Sequence, residues 1–85
     1  MIEIYNKKNS VYNNIEDNSD VILIDAGANK IQVNALIREI TGIGIADSKS
    51  LVENVPVTLK NGISIYEANQ IENRFKSIGA KIEIR

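Results

Sequence analysis

Thr41-Gly-Ile-Gly-Ile-Ala-Asp-Ser-Lys49 places two of the chain's five glycines one residue apart, just ahead of a run that reads as a helix. A glycine-rich loop opening onto a helix N-terminus can cradle phosphate, because free backbone amides and the helix dipole both favour an anion. The neighbouring residues argue against that chemistry. A dinucleotide-binding turn needs its glycines directly after a strand, whereas Gly42 and Gly44 follow a helical pattern, and no Gly-Lys-Ser/Thr closes the loop. The stretch therefore reads as a turn. Gly42 is the left-handed cap of one helix, and Gly44 lets the next helix turn back at close range.

Other chemistry is thinly represented. The 85 residues contain no histidine and no cysteine, which removes the commonest general base, the commonest nucleophile pair and the commonest transition-metal ligands. The chain is thus not expected to be an enzyme, nor to carry a cofactor or metal. Glu67 is assigned to helix capping, and Asp20 and Asp25 to strand ends. No carboxylate pair has the sheltered setting that acid–base work requires. Ten Lys and Arg balance eleven Asp and Glu, so no general field draws the protein to nucleic acid or an anionic membrane. Tyr5, Tyr12 and Tyr66 form no base-stacking platform, and direct nucleic-acid binding is not expected. No apolar run approaches the ~20 residues that span a bilayer, and the N-terminal sequence lacks the order of a secretory signal. A cytoplasmic location follows as an expectation.

What remains is a surface. A helical hairpin bent at Gly42 and Gly44 would present Lys30, Ile31, Arg38, Ile45, Asp47 and Lys49 on one rigid face. The pattern leaves open whether Ile31 and Ile45 belong to the core, and whether the cations are ordinary solvated charges.

The elements that must position this face are readable from periodicity. Asp20-Val-Ile-Leu-Ile-Asp25 is a β-branched run, and it reads as a buried strand with apolar residues on both faces. Val21 and Leu23 are expected in the core. Ile22 and Ile24 then point away and need cover, from Met1–Tyr5 as an extra N-terminal strand or from a second subunit. Asn29 reads as an N-cap, followed by Val33, Leu36, Ile37 and Ile40 at the spacing of one helical stripe. Lys30, Asn34, Arg38 and Thr41 occupy the opposite face. A second helix starts near Ala46, with Asp47 in its first turn and Ser48, Leu51, Val52 and Val55 inward, and Pro56 stops it. A short strand then leads to a tight turn at Asn61-Gly62. Ser64-Ile-Tyr-Glu67 reads as a capping box. Ala68, Ile71, Phe75 and Ile78 line the third helix, Gly79 closes it, and Lys81–Arg85 alternates as a final strand.

The stretch D-V-I-L-I-D-A-G-A-N-K-I-Q-V-N-A-L-I-R-E-I-T-G-I-G-I-A-D-S-K-S-L-V-E-N-V-P closely resembles the C-terminal domain of the bacterial ribosomal stalk protein, large-subunit protein seven/twelve. The likeness continues through L-K-N-G-I-S, A-N-Q-I-E-N-R-F-K-S-I-G-A-K and I-E-I-R, and so covers residues 20–85. G-A-N-K, the R-x-x-T-G-x-G block and L-V-E-x-x-P are its most specific pieces. The resemblance implies an α+β fold, β-α-α-β-α-β, in which three helices lie on one face of a three-stranded antiparallel sheet. It also implies a protein-binding role: recruiting translational GTPases (initiation, elongation and release factors) to the ribosome through the first two helices and their turn.

By that resemblance Lys30, Arg38 and Lys49 match the family's basic contact positions, Ile31 and Ile45 its apolar ones, Asp47 its acidic one, and Gly42 and Gly44 its turn. Asn34, Ala35, Glu39 and Ala46 depart from the residues usual there. Residues 1–19 resemble neither the family's N-terminal dimerisation segment nor its Ala/Gly-rich hinge, and are expected to form a separate arm. An alternative expectation is a free-standing interaction or regulatory module of the same fold, one that self-associates through that arm or the exposed sheet face, or binds a non-ribosomal partner.

Overall fold

A computed structural model describes residues 18–85, which form β1 (Ser19–Asp25), α1 (Lys30–Thr41), α2 (Ile45–Glu53), β2 (Val57–Ile63), α3 (Ile65–Lys76) and β3 (Lys81–Ile84). This is the α+β order read from the sequence. Among the described residues the sheet has three strands in the order β2-β1-β3, with both neighbours antiparallel to β1. Val21 pairs with Ile84 and Leu23 with Ile82, which aligns the inward side chains of β1 and β3. Val21 and Leu23 are fully buried and join Val33, Ile37, Val52, Leu59, Ala68, Ile71 and Phe75 in one core between sheet and helices. Ile22 is buried as well, but lies outside that cluster. The strand assigned to Met1–Tyr5 falls outside the described residues.

The helices start and stop for identifiable reasons. Gly42 caps α1 with φ 78° and donates its N–H to the Arg38 carbonyl, a left-handed conformation in which a Cβ is strained. Asn29 stands at the N-cap of α1 but makes no capping bond. Its Nδ2 donates instead to the Ile78 carbonyl at 3.2 Å, so the side chain ties the start of α1 to the end of α3. The second helix ends at Glu53, before Val55, which packs on the core from outside the helix. Asn54 caps it, two residues ahead of Pro56, and the Val55–Pro56 bond is cis.

At α3, Ser64 Oγ accepts from the Glu67 amide at 3.0 Å. The reciprocal half of the expected capping box is not formed, because the Glu67 carboxylate lies 3.8 Å from Lys60 Nζ instead. Ala80 N–H reaches the Phe75 carbonyl and Gly79 N–H the Lys76 carbonyl, closing α3 around Gly79 at φ 86°. The carbonyl of Gly79 also sets a long-range constraint. A Cβ built at Gly27 would overlap that oxygen, so the β1–α1 turn can pass over the α3–β3 turn only with glycine at 27.

The expected tight turn at Asn61-Gly62 is a correction. Both residues lie within β2, and between the pairs Ser19–Ile63 and Val21–Lys60 two residues of β2 face the single residue Asp20 of β1. That is a β-bulge. Gly62 supplies its positive φ of 66°.

Candidate functional site

The face that the sequence isolates is a shallow groove between α1 and α2, of about 290 Å³, lined by Ile31, Asn34, Ala35, Arg38, Ile45, Ser48 and Lys49. The lining is set by helix geometry. Ile31, Asn34, Ala35 and Arg38 recur at three- and four-residue spacing along α1, and Ile45, Ser48 and Lys49 do so on the first turn and a half of α2. Val33, Leu36 and Ile37 are turned to the core at the same time. Ser48 holds the two walls together from a fully buried position. Its Oγ lies 2.8 Å from Asn34 Oδ1 and 3.0 Å from the Ile45 carbonyl, so the one hydroxyl proton is shared between an acceptor on each helix. Asn34 Nδ2 in turn donates to the Lys30 carbonyl. At the turn, Thr41 Oγ1 donates to the Ile37 carbonyl at 2.6 Å, and Ile43 packs on the core, which pins the hairpin from below.

The groove's rim differs from the rest of the surface. Ile31 is 87% exposed and Ile45 65% exposed, so neither is a core residue. Arg38, Lys49, Lys30 and Asp47 are exposed as well, and none of them enters an ion pair among the described residues. Arg38 lies in the last turn of α1 and Asp47 in the first turn of α2, where each complements its helix dipole.

Of the residues singled out in the sequence, Ile31, Arg38, Ile45 and Lys49 meet in the groove. Lys30 and Asp47 stand exposed on the same helices outside its lining, and Gly42 forms the turn. Gly44 corrects the expectation of a sterically required glycine. Its φ is −80° and ψ 177°, and a Cβ there would meet nothing within 4 Å. Three further residues, Asn34, Ala35 and Ser48, complete the lining. Asn34 shares the helical face that the sequence gives Lys30 and Arg38, whereas Ser48 reads from sequence only as an inward residue of α2.

Nothing in this arrangement suits bond-breaking. Arg85 donates to the Glu83 carboxylate and holds its pKa below the ordinary value, by hydrogen bonding first and charge second, but the pair is exposed at the end of β3. Among the described residues no cluster of acidic side chains is disposed to hold a metal ion, and no helix is long and apolar enough to cross a membrane.

Three helices over a three-stranded antiparallel sheet, with an apolar groove rimmed by cations that are unpaired among the described residues, define a small α+β domain whose distinctive chemistry is that of a surface. The chain belongs to the ribosomal protein L7/L12 C-terminal domain family, whose profile matches residues 19–85. It is 50% identical over 66 residues to the large ribosomal subunit protein bL12 of Caldanaerobacter subterraneus subsp. tengcongensis, covering 78% of this chain and 53% of that protein. The bL12 proteins of Thermoanaerobacter pseudethanolicus and Geobacillus kaustophilus are 48% and 50% identical over the same length, with 53% and 54% of their chains covered. The chain thus spans about half the length of the curated relatives it matches. The family is one of ribosomal proteins, not of enzymes.

Proposed function

We propose that this chain is a factor-binding domain of the ribosomal stalk type, which engages translational GTPases in the cytoplasm through the α1–α2 groove. The observation that carries this reading is the pairing of two exposed isoleucines, Ile31 and Ile45, with three cations that enter no ion pair among the described residues. Apolar side chains left out at a rigid seam gain by burial against a second surface. Uncompensated cations around them speed encounter with an acidic partner. A footprint this small keeps dissociation fast, as repeated use demands. Gly44, where a side chain would project into open space, keeps the turn low beside the groove.

Titration of the chain against a purified elongation factor tests the reading. Binding that weakens in Lys30→Ala and Arg38→Ala supports it, and no detectable binding at high micromolar concentration rejects it. Gly44→Leu extends the test to the turn. It leaves the fold intact and weakens binding if the turn lies in the footprint.

A further inference from the structure

We propose that Asn61 is a site of spontaneous deamidation, held in check by the side chain of Asp20. Asn61-Gly62 is the one Asn–Gly pair in the sequence. Both residues are exposed, and both sit at the β-bulge where two residues of β2 face one of β1. Glycine after asparagine leaves the attacking amide nitrogen without a neighbouring side chain to shield it.

The reaction needs only water. Gly62 N attacks Asn61 Cγ and forms a C–N bond, the Cγ–Nδ2 bond breaks, and Nδ2 departs as ammonia with the proton that Gly62 N gives up. Water then opens the cyclic imide at either carbonyl, leaving an aspartyl or an isoaspartyl residue at position 61.

The structure opposes the first step. Gly62 N–H donates to Asp20 Oδ1 at 3.1 Å, so the nucleophilic nitrogen is tied to a carboxylate. A hydrogen bond to a charged acceptor must be broken before attack, and the negative charge beside it disfavours loss of the amide proton. The backbone of Asp20 is held separately, by reciprocal bonds with Arg85 at 2.9 and 3.0 Å, so the carboxylate can be removed without freeing the strand. Once the reaction occurs, the bulge holds a second carboxylate besides that of Asp20, and an isoaspartyl linkage adds a backbone methylene to the bulged strand. No residue lining the α1–α2 groove belongs to β2, so the change loosens the sheet and leaves the docking face as it was.

The test is incubation of the whole chain in mildly alkaline buffer, followed by peptide mapping that reads the Asn-to-Asp mass gain and isoaspartate at position 61. Folded wild type should convert slowly. The chain in urea and folded Asp20→Ala should convert faster, the variant by roughly tenfold, the worth of a charged hydrogen bond. Asp20→Asn, which keeps an acceptor oxygen without its charge, should fall between, and Asn61→Gln should show no gain. Circular dichroism establishes that each variant is folded. Folded Asp20→Ala or Asp20→Asn converting at the wild-type rate overturns the proposal, as does an unfolded chain that reacts elsewhere before Asn61. Hydrogen exchange on wild type gives an independent reading. A protected Gly62 amide supports the guard, and one that exchanges as freely as in the urea-unfolded chain overturns it.

Discussion

The two flanks of α1 treat their charges in opposite ways. Toward α3, Arg74 Nη2 lies 2.7 Å from Glu39 Oε2 across a groove of about 360 Å³ floored by Leu36 and Ile78, and Lys60 and Glu67 pair alongside. Toward α2, Arg38 and Lys49 have no ion-pair partner among the described residues, and the apolar residues between them stand out in solvent. The α3 flank satisfies its own charges, so a partner docking there would have to break ion pairs before making contacts. Among the described residues the α2 flank has no such pair to break. One helix thus borders a closed seam and an open one, and the difference lies in which cations find a carboxylate among the described residues.

Substitutions can break this comparison or sharpen it. Phe75→Ala, which removes a fully buried ring beneath α3, should cost about 3–5 kcal/mol of stability in urea denaturation. Factor affinity per folded molecule should be unchanged, which separates core from docking surface. The double change Ile31→Ala with Ile45→Ala should do the reverse. Calorimetric titration should show affinity for the elongation factor falling by about thirtyfold, roughly 2 kcal/mol, while stability moves by no more than about 0.5 kcal/mol. Removing Lys30, Arg38 and Lys49 together should slow association by about tenfold at low salt. Stopped-flow measurements should show that difference shrinking as salt rises past physiological strength. Glu39→Ala on the closed flank is the smallest. It breaks an exposed pair worth about 0–1 kcal/mol and should leave association kinetics where they were. If Glu39→Ala weakens binding as much as Arg38→Ala, the two flanks are not distinct.

Much of this architecture was legible in the residues, because it depends on local pattern. The stripe Val33, Leu36, Ile37 set the buried face of α1, Gly42 its end, and Ser64 the start of α3. Placing Ile31 outside was also within reach, since it lies off that stripe by helical period. The misreadings share a cause. Asn29 reads as a cap until the Ile78 carbonyl, far away in sequence, offers its side chain another bond. Asn61-Gly62 reads as a turn until β1 supplies a partner strand on both sides of it. Nothing in the sequence around Gly27 marks it as indispensable, and only the approach of Gly79 makes it so. The Glu39–Arg74 pair, which defines the closed flank, joins residues 35 apart, and no periodicity announces it. Gly44 erred the other way, being credited with a steric role that its extended backbone does not require.

The open flank is the central claim, and nuclear magnetic resonance reads it residue by residue. Titrating the isotopically labelled chain with an unlabelled elongation factor should shift and broaden the amide signals of Ile31, Arg38, Ile45 and Lys49, while those of Arg74, Lys76 and the β3 residues stay in place. Perturbations centred on α3 or the sheet, with the α1–α2 groove silent, would contradict it.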